Sequence, residues 1–416
     1  MAGEWKAFGG LRTALAKRDY RLYIMGHVAH THGWWANRVG LGGLSWQLSE
    51  SPQVLGIVGF ASMMPVMFVG PVGGAMGDRY GHRLVAALSG FSNAAVTAAI
   101  GVLALTGTIT VPMLIMLSVL QGAFFGIEFP ARQALIPQLA GRENIAAAVA
   151  FNSTTFHVGG FIGPVIAGLI FSLADWGAVI LVYCGSSLWM ILMLSLMHHA
   201  NPLAAGRGET SLFGDLREGF IYVAGHPALR LLMAGAFTIG LLIRPYNELL
   251  AGFAGDVFGM PDVGLPPLTA AAGIGALVGA ALMMLRSRTE GMTVIMLGGG
   301  FLAAAFVLFF ASVETFNLAL GVLAVGTFGI VMANVGWNSL VQHISDPRMR
   351  GRAISILVSL SVGAPALGSL AIGSLAEVIG LQRALGVSCI AAIAVLAVLA
   401  VPLLRGRAGM EADGEV

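Results

Sequence analysis

Charge is what this sequence has least of. Asp, Glu, Lys and Arg make up 10% of 416 residues, while 57% are hydrophobic and the mean hydropathy is +0.85. A soluble chain of this length needs far more polar surface to stay wet and monomeric, so a polytopic membrane protein is expected. Cysteine is nearly absent: Cys184 and Cys389 both sit in apolar runs and suggest neither a disulfide framework nor a metal site. No phosphate loop with its lysine is present, which argues against an ATP-driven pump. No nucleophile–base or metal constellation recurs at workable spacing, so neither an enzyme nor a cofactor is expected. The formal net charge of +2 gives no basis for nucleic-acid binding.

Glycine, by contrast, is plentiful at 58 residues, as suits membrane helices that pack closely. Twelve apolar runs can be placed, each near the roughly 20 residues a bilayer requires, from 21–47 and 53–76 to 351–375 and 381–403. The one long polar connector, 198–227, divides them six and six and carries an amphipathic run at 212–223. The expected fold is all-α: a cytoplasmic segment 1–20, a six-helix bundle 21–197, a cytoplasmic linker 198–227, a second bundle 228–403 and a tail 404–416. The basic start has no small-residue cleavage site, so the first helix is expected to be retained. All Lys and Arg except Arg38, Arg244 and Arg383 fall on one side of such a topology, which puts both termini in the cytoplasm.

The halves also echo one another. Phe125-Gly126-Ile127 is matched by Phe328-Gly329-Ile330, and Gly163-Pro164 by Ala364-Pro365, at nearly equal separations. Weak internal symmetry of this kind marks a transporter built from two repeats.

Several residues are candidates for function on their own chemistry. The stretch Gly73–Arg83, GGAMGDRYGHR, is a charged turn between two apolar runs, with Asp78 placed to meet the first N–H groups of the next helix. Glu128 and Arg132 stand four apart on one face of the fourth run. They are either a proton-coupling pair or a permanent structural ion pair, since a carboxylate there needs water or a partner. Arg244 and Glu248 repeat the spacing in the seventh run around Pro245, which is expected to bend the helix; they are a substrate or gate site, or a structural pair. In the first run His30, Trp34 and Arg38 mark a polar face suited to an organic, anionic or aromatic substrate, or to packing. His27, His30 and His32 do not share one face, so no metal is expected. Asn334, Trp337 and Asn338 form a matching stripe in the tenth run, with Asn152, His157 and Tyr246 as weaker additions. Gly159, Gly163, Pro164 and Gly168 let the fifth run pack and flex.

These features resemble the major facilitator superfamily, and within it the bacterial branch resembling the enterobactin exporter. Gly73–Arg83 is similar to the superfamily's loop between its second and third helices. Trp46-Gln47-Leu48, Phe129-Pro130-Ala131-Arg132-Gln133, Asp215-Leu216-Arg217-Glu218-Gly219 and Arg350-Gly351-Arg352 with Pro365 and Gly368-Ser369 resemble that branch, over roughly 20–390. The resemblance implies that Asp78, Arg79, Arg83, Gly74 and Gly81 form a cytoplasmic gate. It also implies a monomeric secondary transporter of the bacterial inner membrane, in contact with lipid. The chain departs from the pattern at His82, where the loop usually has Arg or Lys. The counterpart around Gly279–Arg288 has lost the Asp-Arg pair, and Ala167-Gly168 replaces a Gly-Gly, which weakens the antiport case.

Proton-coupled export of a small organic solute, such as a siderophore-like metabolite or drug, is therefore the leading expectation. Import or lysophospholipid translocation on the same scaffold, and a non-transporting assembly or sensing role, stand as alternatives.

Overall fold

The computed structural model describes residues 10–198, 212–286 and 290–411. Lys6, Arg207, Arg288, most of the linker before residue 212 and the tail beyond 411 lie outside them. Among the described residues the chain is helical throughout, with no strand. The helices are α1 (Arg18–Ser49), α2 (Pro52–Tyr80), α3 (His82–Leu105), α4 (Val111–Ala140), α5 (Ile145–Phe171) and α6 (Trp176–Ser195). They continue with α7 (Leu212–Gly225), α8 (Pro227–Leu242), α9 (Tyr246–Gly252), α10 (Leu265–Met284), α11 (Met292–Ser312), α12 (Phe316–Ile344), α13 (Arg350–Ile379) and α14 (Leu381–Glu411).

Eleven spans among the described residues are long and apolar enough to cross a membrane, α8, α9 and a π turn together making one of them. The helix α1 is missing from that set although it is 32 residues long, because His, Asn, Trp and Thr dilute its apolar content. Local chemistry explains the ends of the helices. Asp175 caps α6 by accepting hydrogen bonds from the Gly177 and Ala178 N–H groups at 2.7 and 3.3 Å. Pro112, Pro227 and Pro266 sit in first turns, where a missing N–H costs nothing. The expected bend at Pro245 is a break: the Arg244 N–H donates to the Ile239 carbonyl, five residues back, before the helix resumes at Tyr246.

The chain sorts into two compact units. One takes the described part of Met1–Leu48 with Ala61–Arg207, and the other Ser49–Phe60 with the described part of Gly208–Val416. The stretch 49–60, within the expected bundle 21–197, thus groups with the later helices. There Gly373 comes so close to α2 that a Cβ on it would stand 2.7 Å from the Pro52 carbonyl.

Small residues set the packing inside the first unit. Gly26, Gly33 and Gly40 recur every seven residues on α1 and lie against Met190, Ser186 and Ile180 of α6. Gly163 of α5 lies against Trp35 of α1, and Gly73 of α2 against the Ile127 backbone of α4. In the second unit Gly240 of α8 packs on Ala364 and Pro365 of α13, the counterpart of the Gly163 contact. The other echo is not carried through: Gly126 packs on Val66 of α2, whereas Gly329 packs on Gly299 and Ala303 of α11.

At one end of the first unit the Lys17 ammonium donates to the Ala140 carbonyl at 2.8 Å and to Glu143 at 3.0 Å. Backbone hydrogen bonding and then Lys17 hold the Glu143 carboxyl below its usual range. A carboxyl lowered in the folded state stabilises above its ordinary titration range and loses that contribution as pH falls through the folded value. Protection factors at 141–145, which allow for the slowing of intrinsic amide exchange at low pH, are therefore expected to fall on acidification in the native protein, and to fall less in Lys17→Met. An equal response in the two proteins would contradict the clamp.

Candidate functional site: a buried polar network beside an aromatic cavity

Glu128 is the centre of the first unit's polar core. It sits in mid-α4, and its side chain is 2% exposed, with Arg132 at 4% and His30 at 1%. The Arg132 Nη1 and His30 Nε2 atoms each lie 3.2 Å from the Glu128 Oε1. The other carboxylate oxygen accepts from the Asn93 amide of α3 at 3.3 Å, and the same amide donates to the Tyr183 hydroxyl of α6 at 2.8 Å. Ser187 Oγ lies 3.4 Å from His30 Nδ1, and Tyr23 donates to the Arg132 carbonyl at 2.9 Å. Four helices thus converge on one carboxylate. A second, uncharged chain runs alongside, from Asn37 to Gln121 at 3.4 Å and from Gln121 to Thr97 at 2.8 Å.

Arg132 also faces a cavity of about 220 Å3 between α1, α4 and α5. Trp34, Phe125, Phe129 and Phe156 form its apolar wall, with Trp34 stacked on Phe125 at 5.6 Å between ring centroids. His27, Gln133, Asn152 and His157 supply polar groups around the guanidinium. Neither ring nitrogen of His27 has a hydrogen-bond partner although the residue is 4% exposed, and the Arg132 Nε and Asn152 Oδ1 are also unsatisfied. Such groups are costly to bury and mark a place where a ligand can be received.

A family model described as "Transmembrane secretion effector" matches residues 12–413. The chain belongs to that family. It is a major facilitator superfamily transporter, distantly related to bacterial exporters and importers of that superfamily, and a multi-pass membrane protein. It is 27% identical to the multidrug efflux pump Tap of Mycolicibacterium fortuitum over 78% of this chain and 81% of that one. It is 28% identical to the enterobactin exporter EntS of Escherichia coli O1:K1 / APEC, over 80% and 77% of the two chains. The solved nucleoside transporter NupG shares the fold, with a TM-score of 0.72 at 14% identity over 93% of this chain and 99% of that one. This chain is a secondary transporter of the alternating-access type, not an enzyme. Among its described residues no group of three or more His, Cys, Asp or Glu is placed to hold a metal.

The loop that resembles the superfamily gate is built around the residue that departs from the pattern. His82 Nε2 lies 3.3 Å from Asp78 Oδ1. Asp78 therefore does not cap the next helix as expected: Gly81 is the N-cap of α3 and no side chain bonds there. Arg83 donates to the Met197 carbonyl at 2.7 Å, just past the end of α6, and Arg79 lies over the Tyr80 ring. Gly81 turns the chain with φ 93° and ψ 128°, a conformation that an L side chain resists. Gly81→Ala is expected to cost about 1–3 kcal/mol, read as a lower melting temperature of the purified protein. An unchanged melting temperature would show that the turn relaxes freely. A Cβ at Gly74 would meet nothing within 4 Å.

The remaining sequence candidates part company. Trp34 lines the cavity, whereas His30 lies behind it on Glu128. The Arg38 guanidinium sits 5.4 Å from the Trp34 ring centroid. His27, Asn152 and His157, the lesser candidates, are on the cavity wall. In the second unit the Arg244 Nη1 donates to the Ser361 carbonyl of α13 at 2.9 Å, while Glu248 lies beside Gly59. Asn338 bonds back to Asn334 at 2.9 Å, but Trp337 is buried under Gly235 of α8, so that stripe is not one surface. Asn93, Tyr183, Gln121 and Thr97 had no sequence signal beyond being isolated polar groups in apolar runs.

Proposed function

We propose that this protein exports a small organic solute, of the siderophore-like or drug class, with protons as the coupling ion. In this reading 21–197 and 228–403 are its two six-helix bundles, with α1 as the first of twelve spans. It works as a monomer in the bacterial inner membrane, with both termini cytoplasmic. Asp78, Arg79, Arg83, Gly74 and Gly81 form the cytoplasmic gate, and Glu128 with Arg132 carries the proton. The supporting observation is that one buried carboxylate is held by Arg132, whose guanidinium also borders the cavity. An intramembrane ionisable residue at such a place has a functional role by default. A proton added at Glu128 releases Arg132 from its counter-charge, so protonation and the contents of the cavity are linked. The names of the efflux pump Tap and the exporter EntS support the outward direction.

An aromatic wall with one guanidinium also suits a lysophospholipid, so that class belongs in the test. Purified protein in proteoliposomes is loaded with organic anions, organic cations or lysophospholipids and followed with and without a pH gradient. The expected result is that one organic class moves faster than in empty liposomes and that the gradient changes its rate. Flux of lysophospholipid alone would replace the solute reading, and flux indifferent to pH would remove the coupling.

A further inference from the structure

We infer that the cavity of the first unit binds a single aromatic ring carrying an anionic or acceptor group such as a carboxylate, in preference to an aromatic amine or a saturated acid. The inference rests on the reading of the chain as a solute transporter and adds the chemistry of what it holds.

Size comes first. Pockets for drug-sized ligands are about 300–1,000 Å3, whereas this one is about 220 Å3. It accommodates a ring-sized portion of a ligand. The apolar wall then selects flat groups. Trp34 stacks on Phe125 with planes 17° apart, and Phe125 meets Phe129 at 5.6 Å between centroids. Stacked and tilted rings of this kind favour another ring through their quadrupoles, by more than the apolar area alone provides.

The polar end selects charge. Arg132 has a buried Nε with no hydrogen-bond partner, and its cationic fork is only partly occupied by Glu128. His27, which lines the same wall, has two buried ring nitrogens without hydrogen-bond partners. Glu128 does not line the cavity, and among the described lining residues none is acidic. A ligand entering here therefore meets donors in fork geometry, which match a carboxylate or similar planar acceptor. A cationic amine finds no counter-charge and faces Arg132.

Binding is measured by titration calorimetry on the detergent-purified full chain with 4-methylbenzoate and benzoate, against cyclohexanecarboxylate and benzylamine. The two aromatic acids are expected to bind at least about tenfold tighter than either control. Phe125→Leu is expected to erase the preference for the ring over the saturated acid. Arg132→Lys, which keeps a cation against Glu128, is expected to weaken 4-methylbenzoate about tenfold or more while leaving the protein folded. If Arg132→Lys does not fold, His27→Leu, which removes the unpartnered ring nitrogens from the cavity wall, is read in its place with the same expectation. Benzylamine equal to benzoate, no ring preference in the native protein, or no binding of either aromatic acid overturns the inference. Binding is read without flux, so its failure leaves the export reading standing. Export failing with binding intact would sink that reading and spare this one.

Discussion

Replacing Arg132 with Met lowers the stability of the folded protein by about 3–5 kcal/mol, because it strips the counter-charge from a buried carboxylate. Glu128 and Arg132 are both almost fully buried and 3.2 Å apart, and Glu128 does not itself line the cavity, so the guanidinium is its close counter-charge. The Asn93 amide at 3.3 Å and His30 Nε2 at 3.2 Å remain beside the carboxylate, but neither replaces the fixed charge of the guanidinium. The double variant Glu128→Gln with Arg132→Met recovers most of the loss, since removing both charges also removes both desolvation costs. Melting temperatures of the native protein, the two single variants and the double variant form the cycle. Simple addition of the two single effects would mean that the residues pack independently and that the carboxylate has another counter-charge.

Gly163→Val abolishes the native packing of α5 on α1. A Cβ at that position would overlap the Trp35 side chain and stand 3.0 Å from both the Ala36 nitrogen and the His32 carbonyl oxygen. Two of those neighbours are backbone atoms, so no rotamer change relieves the contact and the helices must separate. Overpacking of this sort costs about 1–3 kcal/mol and more where backbone must move. Trp35 also donates to the Phe156 carbonyl at 3.0 Å, next to the cavity wall, so ligand binding is expected to fall with stability. Gly74→Ala is the control: with open space around it, its melting temperature is expected to match or slightly exceed the native one. Equal losses at Gly163 and Gly74 would show that close approach does not distinguish these glycines.

The helices were legible because apolar runs of bilayer length have one economical solution, in which every backbone group bonds within its own helix. The break at Pro245 was legible for the same reason in reverse, since proline removes a donor. The first helix was legible only with the charge pattern beside it, because its polar groups lower its hydropathy to meet partners inside the unit. The site was half legible. Glu128 and Arg132 stand one turn apart, and a spacing of four on a helix is a contact in its own right. What holds them was not, for Asn93 reaches Glu128 and Tyr183 reaches Asn93 from other helices, and nothing in their neighbourhoods announces it. Helical spacing also has coarse angular resolution. A step of three residues turns about 60° one way and a step of four about 40° the other. Trp337 and Asn338 therefore point about 100° apart, and one is packed under Gly235 while the other bonds to Asn334. His30 likewise lies off the line of His27 and Trp34, which explains why it meets Glu128 and they meet the cavity.

The central claim is that Glu128 links protons to solute movement. Proteoliposomes containing the native protein or Glu128→Gln are loaded with a transported solute and a pH-sensitive dye, then given a pH gradient. The account predicts that solute and proton signals rise together in the native protein. In Glu128→Gln, labelled solute still exchanges at equal pH, but the acceleration by the gradient falls about 5–150-fold, the range of a coupling free energy between two sites. A Glu128→Gln protein that keeps full pH-driven flux and its proton signal would contradict the account.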